Sequence, residues 1–197
     1  MLFRSIEAFV RMPKLGKYAH LPMQSGSNRI LEAMNRPYRI EKFLGIASKL
    51  RANVPGMRLS TDVIVGFPGE TDADFELTKK AFSEAGFEMG FIFKYSDRSG
   101  TPSVDLSSKV SQNVLENRNQ ELLQILEKQS LASNLKLIGT NLEVLVEGVA
   151  RKGTGRVTGR SPCFRKVNFP GDESLIGKPV VVRITQANHA SLSAELA

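Results

Sequence analysis

The sequence predicts an α/β unit of parallel strands and helices, followed by a small all-β barrel of the OB-like kind. Before residue 135, apolar strand patterns alternate with helical patterns, which favours parallel βαβ units with right-handed crossovers. After Gly139, five short strand patterns separated by glycines and polar turns occupy about 60 residues, as is typical of small closed barrels. We therefore place one domain at residues 1–134 and a second at residues 135–197.

The clearest element of the first domain is the strand Arg58–Val65. Its sequence, Arg-Leu-Ser-Thr-Asp-Val-Ile-Val, has the β-branched residues of a strand buried within a sheet. The next helix is predicted to begin at Thr71, an N-cap residue, with Asp72 and Asp74 in its first turn, where their charges suit the helix dipole. The other elements are the strands Tyr18–Met23 and Phe87–Tyr95, and the helices Asn28–Met34, Ile40–Asn53, Thr71–Ala85 and Val110–Lys136.

The first domain has too few strands to close a barrel by itself. It offers about three βα units, whereas a closed (β/α) barrel has eight. Either the domain is therefore a small open sandwich, or the chain is a fragment. Leu2–Val10 has the pattern of the end of an amphipathic helix, and no strand precedes it. The barrel strands of the second domain are predicted at Leu142–Glu147, Gly155–Gly159, Lys166–Phe169, Pro179–Ile184 and Ser191–Leu196.

Charge and cysteine content narrow the range of functions. The chain has a formal net charge of +7, which favours an anionic partner such as nucleic acid. Six basic residues and no acidic residue lie between Arg151 and Lys166. The single cysteine, Cys163, excludes an internal disulfide and favours a reducing, cytoplasmic location. We expect no membrane span, because no apolar run reaches roughly 18 residues, and no secretion signal.

Two segments place polar groups and glycines directly after predicted strands. The first is His20-Leu-Pro-Met-Gln-Ser-Gly-Ser27, and the second is Thr61-Asp-Val-Ile-Val-Gly-Phe-Pro-Gly-Glu-Thr71. Parallel sheets bind ligands at the carboxyl ends of their strands. Gly66 and Gly69 would let the backbone approach a flat ligand closely. The two segments are therefore candidate parts of one binding site.

These two segments, together with Met-Asn-Arg at residues 34–36 and Tyr-Ser-Asp-Arg-Ser-Gly-Thr-Pro at 95–102, resemble the methylthiotransferase branch of the radical-SAM superfamily. The resemblance runs from about residue 5 to the end. Gly148, Arg160, Val167-Asn-Phe-Pro-Gly171, Leu175-Ile-Gly-Lys178 and Ser191–Leu196 resemble the TRAM domain that follows the barrel in that family. The resemblance implies that the first domain is the C-terminal half of a partial (β/α) barrel.

The resemblance also implies a set of contacts with S-adenosyl-L-methionine (SAM). Gln24 and Asp62 would bind the ribose hydroxyls, with Ser25 beside them as a further cofactor-binding residue. Arg36 would pair with the methionyl carboxylate, for which a guanidinium fork is suited. Ile64 and Val65 would lie against the adenine, and Tyr95 and Ser96 would line the same face. Without the resemblance, Asp62 would be interpreted as a turn cap and Arg36 as a solvated cation.

Other residues of these segments keep two interpretations. Ser27 is either a ligand or the cap of the helix from Asn28, and Glu70 is either a ligand or a helix-start residue. His20 and His189 are the only histidines, and we expect packing or hydrogen-bonding roles for them. Cys163 is expected to be an ordinary thiol in a loop.

Members of the family also carry cysteines that ligate 4Fe-4S clusters, including a Cys-x-x-x-Cys-x-x-Cys motif. Such clusters require several thiolate ligands, and this chain has only Cys163. We therefore expect no metal ligands in this chain, and no activity from it alone. The resemblance implies a missing N-terminal half of the enzyme as a partner.

The basic segment is the predicted RNA-binding surface, with tRNA and its anticodon stem-loop as the expected partner. Phosphate contacts are expected from Arg151, Lys152, Arg156, Arg160, Arg165 and Lys166. Phe164 could stack on a base, whereas Phe169 is expected in the barrel core.

The resemblance implies an enzyme that adds a 2-methylthio group to a prenylated adenosine beside the tRNA anticodon. Gln-Ser-Gly-Ser and Val-Asn-Phe-Pro-Gly favour this branch by resemblance. Two alternatives remain open. One is a methylthiotransferase acting on threonylcarbamoyl-adenosine or on an aspartate of a ribosomal protein. The other is a non-catalytic RNA-binding fragment.

Overall fold

The computed structural model describes residues 2–151 and 153–197. By internal contacts the chain divides into two compact units. The sheet unit comprises residues 19–53 and 59–126, and the barrel unit comprises the residues up to Tyr18, residues 54–58 and residues 127–197. The predicted boundary between residues 134 and 135 stays a prediction about sequence modules, since these units group the chain differently.

Three strands form the parallel sheet, in the order β1 (Tyr18–His20), β2 (Arg58–Val65) and β3 (Met89–Lys94). The strand β2 pairs in parallel with β3, with Asp62 opposite Phe91 and Ile64 opposite Phe93. The elements up to the end of this sheet are α1 (Leu2–Arg11), β1 (Tyr18–His20), α2 (Asn28–Ala33), α3 (Ile40–Asn53), β2 (Arg58–Val65), α4 (Asp72–Ala85) and β3 (Met89–Lys94). The alternating strand and helix order predicted for this part is confirmed.

One face of the sheet is buried and the other is open. Leu59, Val63 and Val65 are almost completely buried, together with Phe82 and Phe87. Side chains alternate between the two faces of a strand. Asp62 and Ile64 therefore lie on the open face, where both are partly exposed. The predicted helix start at Thr71 is confirmed, because Thr71 and Asp74 form a reciprocal capping box.

The barrel unit contains a closed five-stranded barrel, which follows the helix α5 (Gln112–Leu135). The strands of the barrel are β4 (Asn141–Val149), β5 (Arg156–Arg160), β6 (Lys166–Pro170), β7 (Pro179–Ala187) and β8 (Leu192–Leu196). Their order around the barrel is β4-β5-β6-β8-β7. The barrel core consists of Val144, Val146, Val157, Val167, Phe169, Val182, Ile184, Leu192 and Ala194. The predicted barrel and the core position of Phe169 are confirmed. Among the described helices, none is long and apolar enough to cross a bilayer.

Candidate nucleoside site and nucleic-acid interface

The open face of the sheet borders a cavity of about 710 Å³ in the sheet unit. This volume lies within the range of about 300–1,000 Å³ that small-molecule sites occupy. Four of the six predicted cofactor-binding residues line it: Gln24, Arg36, Asp62 and Ile64. The cavity is therefore where the two strand-end segments of the sequence meet.

Asp62 is the only carboxylate among the residues that line the cavity, and one of its two carboxylate oxygens lacks a hydrogen-bond partner among the described residues. Its Oδ2 lies 3.3 Å from His20 Nε2, and His20 Nδ1 lies 2.8 Å from Ser60 Oγ. Its Oδ1 is buried and has no hydrogen-bond partner among the described residues. A buried oxygen without a donor carries a desolvation cost, so this atom suits a ligand that brings a hydroxyl or amine donor.

The backbone around Gln24 extends the sheet at the edge of the cavity. Gln24 N donates to Asp62 O at 2.8 Å, and Ile64 N donates to Gln24 O at 2.9 Å. Gln24 has a left-handed φ of 63°, which is uncommon for a residue with a Cβ atom. Tyr38 fixes the preceding turn, because its hydroxyl donates to the carbonyls of Pro22 and Met23 at 3.0 and 3.2 Å.

The residues after Gln24 pack onto α4 instead of facing the cavity. Ser25 is fully buried and lies 3.3 Å from Thr78 Oγ1, which also accepts from Gly26 N at 3.0 Å. A Cβ atom on Gly26 would lie 2.5 Å from Leu77 O and from Thr78 Cα, so this position admits only glycine. Val65 is likewise fully buried, on the opposite face of β2 from Ile64. The structure thus leaves Ser25 and Val65 outside the cavity.

Asp74 joins the two strand-end segments. Its carboxylate accepts from Ser27 Oγ at 2.7 Å, from Thr71 N at 2.9 Å and from the Arg29 guanidinium. Burial alone would raise the pKa of Asp74, but the hydrogen bonds from Arg29, Thr71 and Ser27 outweigh it and hold the pKa well below its usual range. Ser27 therefore has its hydrogen bond to Asp74 and makes no side-chain cap bond to α2.

Glu70 holds the Gly-Phe-Pro-Gly turn after β2. Its buried Oε2 accepts from Gly66 N and from Arg118 Nη1, both at 2.7 Å. Burial raises the pKa of Glu70, while the Gly66 N–H and Arg118 oppose that rise. Arg118 also donates to the exposed Asp72 at 2.6 Å. Of the two interpretations for Glu70, the structure shows a side chain bonded within the protein and absent from the cavity lining.

Three basic side chains lie among the residues that line the cavity. Arg36, Lys94 and Arg98 line it, and Lys94 pairs with Glu116 at 2.6 Å. Within residues 2–151 and 153–197, neither Arg36 nor Arg98 has a carboxylate partner. Tyr95 and Ser96, which were expected on this face, line the cavity as well.

The six predicted RNA-binding residues differ in exposure and in their partners. Arg151 and Lys166 are exposed. Arg156 donates to Asn168 O at 3.1 Å, and Arg160 lies 3.3 Å from Glu147 with its guanidinium 4.1 Å from the Phe164 ring centroid. Arg165 is buried, and Lys152 lies outside the described residues.

Arg165 differs from its neighbours because its guanidinium is used within the barrel unit. Its Nη1 donates to Asn134 Oδ1 at 2.6 Å, and its Nη2 donates to Ser133 Oγ at 2.8 Å. Arg165 thus ties the end of α5 to the loop before β6. Phe164 is 38% exposed and stacks on Tyr18, with ring centroids 4.8 Å apart.

The part of the chain that the structure describes has few side chains arranged as metal ligands. No group of three or more His, Cys, Asp or Glu side chains lies together there in a way that could hold a metal ion. Cys163 is half-buried, with its Sγ 3.2 Å from Ser161 Oγ.

Sequence reasoning assigned no role to several residues that line the cavity, among them Phe93 and Arg98. The pattern Met-Gly-Phe-Ile-Phe-Lys of β3 contained a signal, since Phe91 and Phe93 are two residues apart and must share a face. Arg98 belongs to the segment Tyr-Ser-Asp-Arg-Ser-Gly-Thr-Pro at residues 95–102, but its place at the cavity depends on the path of the loop after β3.

Comparison with known proteins agrees with this architecture. Residues 2–82 match the radical SAM superfamily, and residues 135–197 match the TRAM domain. In structure the chain is similar to coproporphyrinogen III oxidase (HemN) from Escherichia coli, described as a radical SAM enzyme. The TM-score is 0.50 at 17% identity, over 58% of this chain and 27% of that one. The chain thus combines a partial radical SAM fold with a TRAM barrel, as the sequence predicted.

The most informative relatives are tRNA-2-methylthio-N(6)-dimethylallyladenosine synthases. The enzyme of Opitutus terrae is 48% identical over 97% of this chain and 40% of its own length. That of Bordetella pertussis is 43% identical over 100% of this chain and 44% of its own length. The chain therefore spans less than half the length of these relatives. The predicted similarity to tRNA methylthiotransferases is confirmed.

Proposed function

We propose that this chain is the part of a tRNA methylthiotransferase that supplies the nucleoside side of a SAM pocket and a tRNA-binding barrel. The observation that carries the proposal is the cavity beside Asp62, whose buried Oδ1 has no donor among the described residues. The relatives that match nearly the whole chain add weight, since their names give a 2-methylthio product on dimethylallyladenosine.

The cavity residues fit the nucleoside and amino-acid parts of SAM. Asp62 Oδ1 would accept from a ribose hydroxyl, with the side chain of Gln24 as a second contact to the ribose. Ile64 would give the adenine an apolar surface. Arg36, which has no carboxylate partner among the described residues, would bind the methionyl carboxylate. Ser25 and Val65 are left out of this proposal because they do not line the cavity.

The complete reaction needs groups that this chain does not carry. When bound beside a reduced iron–sulfur cluster, SAM supplies both the methyl group and the radical chemistry. A 4Fe-4S cluster takes several thiolates, and Cys163 is the single cysteine. We therefore propose that the cluster ligands come from a partner polypeptide segment, such as an N-terminal half, and that this chain alone is inactive.

The barrel would hold the tRNA, in the cytoplasm, near its anticodon stem-loop. The exposed Arg151 and Lys166 and the partly exposed Arg156 and Arg160 form the proposed surface. Lys152 extends it in sequence, and Arg165 is excluded because its guanidinium is bonded inside the protein. Such a surface binds phosphates, and its affinity should fall steeply with salt.

A chimeric enzyme tests the proposed activity. This chain would replace the matching 40% of the Opitutus terrae synthase, in cells that lack their own enzyme. We expect mass spectrometry of tRNA hydrolysates to show 2-methylthio-dimethylallyladenosine, and an Asp62→Ala chimera to produce far less. A 2-methylthio group on threonylcarbamoyl-adenosine would favour the sister branch. A chimera that binds tRNA and modifies no substrate would favour a non-catalytic RNA-binding chain.

A further inference from the structure

Two aromatic side chains on the open face of the sheet have no role in the proposed function. Phe91 is 55% exposed and Phe93 is 50% exposed, and their rings are nearly parallel with centroids 6.1 Å apart. They lie opposite Asp62 and Ile64 in the sheet register, and Phe93 also lines the cavity. Leaving two phenylalanine rings half in water is costly, so this face has the character of a binding surface.

Arg98 lines the same cavity and lies in a loop that is held by side-chain hydrogen bonds. Asp97 Oδ1 accepts from Tyr95 Oη at 3.0 Å and from Lys109 Nζ at 2.5 Å. Lys109 also donates to Ser103 O at 3.1 Å. The hydrogen bonds from Lys109 and Tyr95 lower the pKa of Asp97. Because Lys109 already neutralises Asp97, the charge of Arg98 is left uncompensated beside the cavity.

The geometry points to a subsite for the target nucleotide of the RNA, formed by Phe91, Phe93 and Arg98. The base would stack on Phe93, and its flanking phosphate would pair with Arg98. This inference rests on the proposed function, since it places the substrate next to the SAM side of the same cavity. Phe93 and Ile64 are register partners, so a base on Phe93 lies beside the nucleoside assigned to Ile64.

The combination of exposed phenylalanine rings and an arginine side chain favours a nucleotide as the ligand of this subsite. Single-stranded nucleotides are bound by aromatic faces for the bases and by cations for the backbone. An enzyme that modifies a base must also take it out of its stack and hold it in a pocket. An apolar substituent on the base, such as a dimethylallyl group, would extend over Phe91. A protein segment would need acidic groups opposite Arg36 and Arg98, and a second copy of this chain is the protein occupant that the experiment tests.

The experiment uses the full chain and an anticodon stem-loop RNA with 2-aminopurine at the target position. Binding to the unaltered chain should change the 2-aminopurine emission, because the base leaves its stack and contacts Phe93. Phe93→Leu should weaken binding about 5- to 20-fold and remove this signal, whereas Phe93→Tyr should retain both. Arg98→Gln should weaken binding about threefold and reduce the salt slope by about one.

Matched controls separate this subsite from the rest of the proposal. Arg39→Gln removes another exposed arginine of the sheet unit that does not line the cavity, and should leave RNA affinity unchanged. SAM binding should be the same in Phe93→Leu, Phe93→Tyr and the unaltered chain.

Three results would overturn the subsite. In the first, Phe93→Leu and Arg98→Gln both bind RNA within twofold of the unaltered chain and keep the emission change. In the second, Phe93→Leu and Phe93→Tyr lose SAM binding together with RNA binding. In the third, the chain self-associates through this face, with a second copy covering Phe91 and Phe93. Failure of the unaltered chain to bind RNA at all would instead contradict the proposed function.

Discussion

At the residue scale, the orientation of the Asp62 carboxylate depends on its neighbours. His20 holds one carboxylate oxygen and Ser60 holds His20, which leaves the second oxygen free for a ligand. His20 was expected to have a packing or hydrogen-bonding role, and the structure gives it the latter. Its effect on a ligand would be indirect, through the orientation of Asp62.

Substitutions of His20 test this orientation, because two amides imitate its two ring nitrogens. In His20→Gln, the amide reaches about as far as Nε2 and can still donate to Asp62. In His20→Asn, the shorter amide reaches only as far as Nδ1, which faces Ser60. We expect SAM affinity, measured by calorimetry, to stay within about threefold for Gln and to fall about tenfold for Asn. Equal losses for both variants would contradict a positioning role.

Arg165 and Lys166 are adjacent in the sequence but differ in exposure, because Arg165 is buried and Lys166 is exposed. Arg165→Gln breaks buried hydrogen bonds to Asn134 and Ser133, and should lower the free energy of unfolding by about 2–3 kcal/mol. Lys166→Gln changes an exposed residue, and should leave stability within about 0.5 kcal/mol while reducing the salt slope of tRNA binding. Denaturant titrations and binding isotherms at several salt concentrations measure both effects. The reverse pattern would contradict this assignment.

These residues also show how far the sequence could predict the site. Family resemblance pointed to Gln24, Arg36, Asp62 and Ile64, all of which line one cavity. Val65 could have been set aside from the sequence, since neighbouring residues of a strand face opposite sides. The burial of Arg165 could not, because it depends on where the end of α5 lies.

At the element scale, the two strand-end segments are held together by α4. Ser27 from the first segment, Arg29 from the adjoining helix α2 and Thr71 from the second segment all donate to Asp74, which lies in the first turn of α4. The sequence predicted Thr71 as the cap and Asp74 as a dipole partner, because both patterns are local. It did not predict the bonds from Ser27 and Arg29, which cross more than 40 residues.

Asp74→Asn should lower the free energy of unfolding by about 2 kcal/mol at neutral pH, because donor groups on three residues, Ser27, Arg29 and Thr71, lose a charged acceptor. The folded pKa of Asp74 is lowered, so its contribution is present above its ordinary value of 3.8 and is lost as pH falls below it. The variant should therefore show a shallower loss of stability between about pH 4 and pH 2. Denaturant titrations across this range measure the slope.

Asp72→Asn is the matched control, since Asp72 is in the same turn but its side chain is 96% exposed. We expect a change below about 1 kcal/mol and an unaltered acid slope. Equal effects of the two substitutions would show that Asp74 has no special part in joining the segments.

At the scale of the whole molecule, the two compact units contain different candidate binding sites. The sheet unit has the cavity and its partnerless carboxylate oxygen, and the barrel unit has the basic surface. The sequence predicted this architecture, since strand and helix periodicity is strong in both parts. It could not predict which cations remain free, because that depends on ion pairs such as Lys94–Glu116 and Arg160–Glu147.

The single cysteine leads to a prediction for the isolated chain. Anaerobic reconstitution with iron and sulfide should leave no stoichiometric cluster and no visible absorption band, because Cys163 alone cannot supply the ligands. Cys163→Ser should behave identically in iron and sulfide assays. A stoichiometric 4Fe-4S cluster on the unaltered chain would contradict the proposed dependence on a partner segment.

The most direct test of the central claim is an NMR titration of the isotopically labelled chain with SAM. The account predicts chemical-shift changes centred on Gln24, Arg36, Asp62 and Ile64, with weak affinity, and their loss in Asp62→Ala. It also predicts no change in the barrel core around Val157 and Phe169. Absence of any shift at millimolar SAM, or shifts that persist in Asp62→Ala, would contradict the assignment of this cavity to the nucleoside.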